Sequence, residues 1–210
     1  MYEHPSELSG QLTITYTYKK GLYLNITNRC TNACEFCIRD NDVGVYGSSP
    51  LILEREPSVD EIIDDLSKRN LADFDEIIFC GYGEPTCRLD DMLVICRHLR
   101  EVCALPIRLN TNGHASMIAG KDTAPMFDGM FDAVSISLNA ANAATYLQVC
   151  RPEFGISAYD GMLDFAVKLT KFVPKVAFSV VGGTVPDEQI AVCERIAAEI
   201  GIEFRLRVRE

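Results

Sequence analysis

The chain has 210 residues and a formal net charge of −10, from 30 acidic and 20 basic side chains. This acidic balance argues against the broad basic surface of a nonspecific nucleic-acid-binding protein. No apolar run is long enough to predict a membrane span. Nine cysteines and a polar start without signal-peptide character predict a reducing, cytoplasmic location. The length is about that of one domain, so we expect a single domain over residues 1–210.

The N-terminal 21 residues predict a hairpin strand. Residues 11–18 alternate apolar and polar positions, and Gly21 follows Lys19 and Lys20 at an expected glycine turn. Residues 22–208 then alternate between strand-like and helix-like segments about six times. Predicted strands cover residues 22–27, 74–80, 106–110, 131–138, 175–181 and 203–208, and predicted helices cover residues 89–102, 159–172 and 187–200. A further helix begins at Ser58, which forms a capping box with Glu61.

This alternation predicts a parallel sheet with helices outside it. Six strand–helix units are fewer than the eight of a closed barrel. We therefore expect an α/β fold, a partial (β/α)6 open barrel of parallel strands with outer helices, preceded by the N-terminal β-hairpin strand.

Three cysteines, Cys30, Cys34 and Cys37, follow the strand-like run 22–27 with the spacing C-x3-C-x2-C. Thiolates at this spacing suit an iron–sulfur cluster. A four-iron cluster takes four ligands, so three cysteines leave one iron with an open position. A structural zinc site or plain buried thiols are the alternatives, although zinc sites usually carry a second cysteine pair, which is absent after this loop.

The loop resembles the signature C-x3-C-x-aromatic-C of the radical S-adenosylmethionine (SAM) superfamily, with Phe36 in the aromatic position. The resemblance implies a [4Fe-4S] cluster on Cys30, Cys34 and Cys37, with SAM chelated at the open iron. It implies reductive cleavage of SAM to methionine and a 5′-deoxyadenosyl radical, which abstracts hydrogen from a small-molecule or protein substrate. An electron donor such as flavodoxin or ferredoxin is implied as a partner.

The turn Gly81-Tyr82-Gly83-Glu84-Pro85 resembles the family's G-G-E motif, with Tyr82 in place of the first glycine. The resemblance implies SAM contacts at this turn, at the aromatic position and at the polar ends of the next two strands, that is, at Phe36, Gly83, Glu84, Asn110, Asn112, Ser137 and Asn139. Asn139 could instead cap the alanine-rich segment that follows it.

Six residues form the candidate substrate region: Arg39, Asp40, Tyr46, Thr86, His114 and Arg151. The turn-rich loop 40–50 could be a lid over the site or a mobile surface connection. His114 could exchange a proton in the site or lie solvated in a loop, and each arginine could bind an anionic substrate or pair with an acid. Cys87 and Cys150 follow strand-end loops and could face the cavity, whereas Cys96 and Cys193 resemble packing residues.

More narrowly, residues 24–30, 54–58 and 81–86 resemble the TatD-associated radical SAM proteins, which implies a functional link to a TatD-type hydrolase. The size also resembles 7-carboxy-7-deazaguanine synthase and the glycyl-radical-enzyme activases. A zinc-binding structural or adaptor protein is the non-enzymatic alternative. None of these resemblances identifies the substrate.

Overall fold

The structure, a computed structural model, describes residues 12–41 and 51–208. Seven strands form one sheet in chain order from β1 to β7. β1 and β2 are antiparallel, and each later neighbouring pair is parallel. The bounds are β1 Thr15–Tyr18, β2 Gly21–Leu24, β3 Glu76–Phe79, β4 Ile107–Thr111, β5 Ala133–Ser137, β6 Lys175–Val181 and β7 Glu203–Arg207. The six parallel strands confirm the predicted α/β open barrel. The antiparallel pair of β1 and β2 confirms the N-terminal hairpin strand.

Helices follow the parallel strands at most crossings. They are α1 Val59–Ser67, α2 Leu89–Val102, α3 Ala115–Ala119, α4 Ala143–Cys150, α5 Ser157–Leu169 and α6 Asp187–Ile200. Short 3-10 helices cover Ile38–Asn41, Leu71–Asp73, Pro85–Arg88 and Ala124–Phe127. Within the described part of the chain, no helix combines the length and the apolar character that a bilayer crossing needs.

The local signals at the helix ends are confirmed. Ser58 accepts a hydrogen bond from the Glu61 backbone N–H, and the Glu61 carboxylate accepts one from the Ser58 N–H. α2 and α6 have the predicted bounds. Gly201 ends α6 in the left-handed conformation with φ 81°, which glycine adopts without a steric penalty.

Two local predictions were wrong. The left-handed residue of the hairpin turn is Lys19, with φ 53°, while Gly21 already lies in β2 opposite Tyr18. Asn139 does not cap the alanine-rich segment, because Asn142 is the N-cap of α4 and accepts a hydrogen bond from the Thr145 N–H at 2.9 Å. α3 and α4 are short elements that the sequence pattern did not predict.

The two faces of the sheet differ in chemistry, because successive side chains of a strand point to opposite faces. One face packs against the helices in the main hydrophobic core; its strand residues include Leu22, Phe79, Leu109, Ile136 and Phe178, all fully buried. On the other face, register places Tyr23 beside Ile78 and Ile78 beside Arg108. We call this second surface the open face. Since β2 to β7 run in parallel, the loops after them meet at one edge of the sheet, where α/β folds bind their ligands.

Candidate functional site

The three cysteines lie on the loop that follows β2, here called the cysteine loop (residues 27–38). This loop packs against the turn after β3, which contains Gly83 and Glu84. The Glu84 backbone N–H donates to the Arg29 carbonyl oxygen at 2.7 Å. A Cβ atom on Gly83 would lie 2.2 Å from the Thr27 carbonyl oxygen, so only glycine permits this approach. The two motifs that the sequence singled out are therefore in direct backbone contact.

The C-terminal end of α4 holds the cysteine loop from the other side. The Ala33 N–H donates to the Cys150 carbonyl and the Glu35 N–H donates to the Val149 carbonyl, both at 3.0 Å. Arg151 pairs with the Glu35 carboxylate at 2.6 Å. The last carbonyl groups of a helix have no partner within the helix. Here the cysteine loop supplies donors to them, which fixes the backbone on both sides of Cys34.

The thiols of the three cysteines are free and partly buried. Burial, reinforced by the nearby Glu84 carboxylate, raises the pKa of Cys30 to about 12. Cys34 forms a thiol–thiol hydrogen bond with Cys150, which lowers the pKa of Cys34 and raises that of Cys150. Cysteines ligate metals as thiolates, so loading the site releases protons.

The donor set of three free thiols on one loop suits an iron–sulfur cluster, because in a four-iron cluster each cysteine ligates a different iron. Among the described residues, no group of three or more His, Cys, Asp or Glu side chains is arranged to hold a single metal ion.

Glu84 is 3% exposed, and its carboxylate joins the turn after β3 to the end of β4. Its Oε1 accepts hydrogen bonds from the Thr86 N–H and hydroxyl and from the Thr111 hydroxyl, at 2.7 to 3.1 Å. Its Oε2 accepts one, from the Asn112 N–H at 2.6 Å. Burial raises the pKa of Glu84, while these donors oppose the rise. Thr86 is itself buried and points at this carboxylate.

Asn110 and Ser137 lie on the open face, where both are partly exposed. Asn110 Oδ1 accepts from Arg108 Nη1 at 2.8 Å, and Arg108 also forms a bidentate pair with Glu76 at 2.9 Å for both bonds. Ser137 Oγ accepts from Arg207 at 3.4 Å. The open face is thus polar near the carboxyl ends of β4 and β5.

Asn112 and Asn139 point at sulfur atoms. Asn112 Nδ2 lies 2.9 Å from Thr31 Oγ1 and 3.9 Å from Cys30 Sγ. Asn139, in the left-handed conformation with φ 54°, donates from Nδ2 to Cys150 Sγ at 3.9 Å. Its buried Oδ1 has no hydrogen-bond partner among the described residues, and the same holds for Oδ1 of Asn32. Buried polar atoms are nearly always paired, so these oxygens mark places where a bound group could supply a donor.

His114 is fully buried, which corrects the interpretation of it as a solvated loop residue. Its Nδ1 lies 2.9 Å from Thr31 Oγ1, and its Nε2 lies 3.2 Å from the Tyr146 hydroxyl. Asn32 Nδ2 also donates to that hydroxyl, at 3.0 Å. Burial lowers the pKa of His114 to about 4, so the ring is neutral at neutral pH.

The remaining predicted residues lie around the cysteine loop. Phe36 packs against the main core. Arg39 donates to the Asn28 carbonyl at 3.1 Å. Arg39 and Arg151 border a cleft of about 330 Å³ that is also lined by Cys34 and Cys37. The Asp40 side chain and all of Tyr46 lie outside the described residues, as does most of the loop 40–50.

Sequence reasoning missed the groups that support the loop from behind, namely Thr31, Asn32 and Tyr146. Tyr146 is more than 100 residues away from Asn32 in the chain, and no local pattern connects them. For Cys150 the sequence raised a cavity-facing thiol as one option; the structure places it fully buried against Cys34.

Comparisons with known proteins agree with this geometry. A family model described as the radical SAM superfamily matches residues 24–196. No curated protein matches the chain. Among solved structures, Streptococcus suis SuiB bound to the precursor peptide SuiA aligns with a TM-score of 0.67 at 15% identity, over 93% of this chain and 40% of that one.

A radical SAM methyltransferase from Sphaerobacter thermophilus aligns with a TM-score of 0.62 at 16% identity, over 92% of this chain and 57% of that one. The protein anSMEcpe with bound AdoMet aligns with a TM-score of 0.61 at 14% identity, over 90% of this chain and 50% of that one. At these identities the alignments show a shared fold, and the chain spans 40 to 57% of the length of these three proteins.

Proposed function

The chain belongs to the radical SAM superfamily, and on that premise we propose that Cys30, Cys34 and Cys37 hold a [4Fe-4S] cluster in an enzyme that cleaves SAM. When bound, the cluster and SAM together supply an electron and a 5′-deoxyadenosyl radical for hydrogen abstraction from a substrate. Membership of the family implies an iron–sulfur cluster and SAM; the four-iron type and the ligand assignment are our proposal. The observation that carries it is the position of three free thiols on one loop at the carboxyl edge of the sheet.

The fold contributes rigidity to this site. α4 holds the backbone around Cys34, and the turn after β3 holds the backbone around Arg29. A loop held on both sides presents its thiolates with little loss of conformational entropy when metal binds. The partial burial of the cysteines limits the access of water to the cluster.

The SAM contacts are proposed residue by residue. Gly83 has no side chain, so a ligand can approach its backbone closely. Phe36 directly precedes the third cysteine of the motif. Glu84 Oε2 accepts only one hydrogen bond from the described residues, against three at Oε1, so it can receive a donor from the SAM amino group. Asn139 Oδ1 needs a donor, which a ribose hydroxyl would supply.

Asn110 and Ser137 are proposed to contact SAM from the open face, where they are partly exposed. Asn112 is proposed to contribute through the amide that lies beside Cys30. Asn110 lies in β4, Asn112 directly follows β4 and Ser137 ends β5, and these two strands are neighbours in the sheet.

Arg39 and Arg151 remain the proposed substrate region because both border the cleft over Cys34 and Cys37. Asp40 and Tyr46 stay sequence predictions. Buried Thr86 and His114 are better assigned to support of the site than to substrate contact.

Finer assignments rest on the sequence. The TatD-associated subgroup, with its link to a TatD-type hydrolase, rests on residues 24–30, 54–58 and 81–86. An electron donor such as flavodoxin or ferredoxin is part of the proposal. A protein or peptide substrate, as for an activase, is favoured by one observation: the similar fold of SuiB binds a precursor peptide. No residue described here favours a 7-carboxy-7-deazaguanine synthase activity.

The decisive experiment reconstitutes the purified chain with iron and sulfide in the absence of oxygen, adds SAM and dithionite, and measures 5′-deoxyadenosine. We expect product and a cluster absorbance band from the wild type, and neither from the Cys30→Ala, Cys34→Ala, Cys37→Ala triple variant. A second triple variant, Cys96→Ala, Cys103→Ala and Cys193→Ala, controls for the loss of three thiols, since these lie away from the cysteine loop. A colourless wild-type protein that takes up zinc instead of iron would refute the proposal.

A further inference from the structure

The sulfur of Cys30 lies next to two N–H donors from the protein. The Asn32 backbone N–H points at Cys30 Sγ from 3.4 Å, and Asn112 Nδ2 lies 3.9 Å from the same atom. The Asn32 N–H belongs to the cysteine loop itself. The Asn112 amide comes from the end of β4, more than 80 residues later in the chain.

We propose that the Asn112 amide sets the reduction potential of the cluster through Cys30, and that Thr31, His114 and Tyr146 are the positioning residues that hold this amide in place. The inference rests on the proposed function, because it assumes that Cys30 ligates the cluster. It concerns the ease of reducing the cluster, which is separate from SAM binding.

Three hydrogen bonds fix the orientation of Asn112. Its Oδ1 accepts from the His114 N–H at 3.0 Å, its Nδ2 donates to Thr31 Oγ1 at 2.9 Å, and its own N–H donates to Glu84. Turning the amide over would place its NH2 group against the His114 N–H, donor against donor. The Nδ2 atom therefore faces Thr31 and the Cys30 sulfur.

A buried chain of polar groups stands behind Thr31. It runs from Thr31 Oγ1 to His114 Nδ1, from His114 Nε2 to the Tyr146 hydroxyl, and from that hydroxyl to Asn32 Nδ2. All these residues are at most 8% exposed. The chain begins and ends on the cysteine loop, at two adjacent residues that directly follow Cys30. It therefore connects the position of the Asn112 amide to the conformation of the loop.

The expected effect on the cluster follows from charge. Reduction adds one electron, and the extra negative charge spreads onto the sulfur atoms. An N–H group directed at a ligand sulfur stabilises the reduced form, and a surrounding of low dielectric constant strengthens the interaction. With the amide present, the potential is less negative and the cluster is easier to reduce.

The test measures the midpoint potential of the reconstituted holoprotein by redox titration followed by electron paramagnetic resonance, without SAM. Leaving SAM out separates this effect from any role of Asn112 in binding it. We expect Asn112→Ala to titrate at a more negative potential with wild-type iron and sulfide content. Thr31→Val, which removes the hydroxyl that anchors the amide, should shift the potential in the same direction, whereas Thr31→Ser should restore the wild-type value.

Tyr159→Phe is the matched control, because Tyr159 is a buried tyrosine beside Tyr146 whose hydroxyl donates to the Ala140 carbonyl, outside the polar chain. It should titrate like the wild type. An unchanged potential in Asn112→Ala with full cluster content would overturn the inference. So would equal potentials for Thr31→Val and Thr31→Ser, a comparison that still decides if Asn112→Ala assembles no cluster. A wild-type chain that holds no cluster would instead refute the proposed function, and the inference with it.

Discussion

Protonation of His114 should destabilise the fold at mildly acidic pH. The pKa of the ring is about 4 in the folded chain against 6.5 for an ordinary histidine, because burial disfavours the charged form. The unfolded chain therefore binds a proton that the folded chain does not, and stability falls as pH drops from about 6.5 towards 4. Above that range the ring is neutral in both the folded and the unfolded chain, so the titration of His114 no longer lowers the folding stability.

The size of the effect follows from the two pKa values. Each pH unit inside that range corresponds to about 1.4 kcal/mol. Going from about pH 7.5 to about pH 5 should then remove about 2 kcal/mol of the unfolding free energy through this residue alone. His114 is fully buried, so solvent screening does not reduce the figure.

The assay compares wild type with His114→Gln by urea denaturation of the reduced, cluster-free chain, followed by circular dichroism. Near neutral pH the variant should be less stable by about 2 to 4 kcal/mol, because the buried hydroxyls of Thr31 and Tyr146 each lose one hydrogen-bond partner. The gap should narrow by about 2 kcal/mol at about pH 5.

Comparing two proteins cancels the titration of the 30 acidic side chains, which both share. His98→Gln, on α2 and outside the polar chain, is the matched control for the loss of one histidine. The reasoning is refuted if wild type and His114→Gln lose stability in parallel across this pH range.

Four substitutions test other parts of the fold by their urea midpoints. Ser58→Ala removes the N-cap of α1 and should cost about 1 kcal/mol; no change would mean that the capping box contributes nothing. Gly83→Ala should cost about 3 kcal/mol or more, since its Cβ would lie 2.2 Å from a backbone oxygen. Gly120→Ala, where a Cβ meets open space at positive φ, should cost only about 1 to 2 kcal/mol; equal losses would contradict the steric argument. Arg88→Met should cost about 3 kcal/mol, because the buried guanidinium of Arg88 donates hydrogen bonds to two backbone carbonyls. A smaller loss would show that water molecules take over these hydrogen bonds in the variant.

Local chemistry made much of the fold predictable from the sequence. The capping box at Ser58 and the bounds of α2 and α6 depend on residues within a few positions of each other. The alternation of strands and helices likewise needs only the local periodicity of apolar residues, and it was sufficient for the order of the parallel sheet. The family relationship of the cysteine motif was also recognisable, because its three cysteines lie within eight residues.

What the sequence left open was the surroundings of that motif. His114 meets Thr31 across 83 positions, and α4 meets the cysteine loop across more than 110. Such contacts depend on how the sheet aligns the ends of its strands. No single segment of the sequence carries a signal for that alignment. The side-chain directions of Asn112 and Asn139 had the same origin: the sequence places both at strand ends, but their amides turn towards sulfur because only the folded chain brings Cys30 and Cys150 within reach.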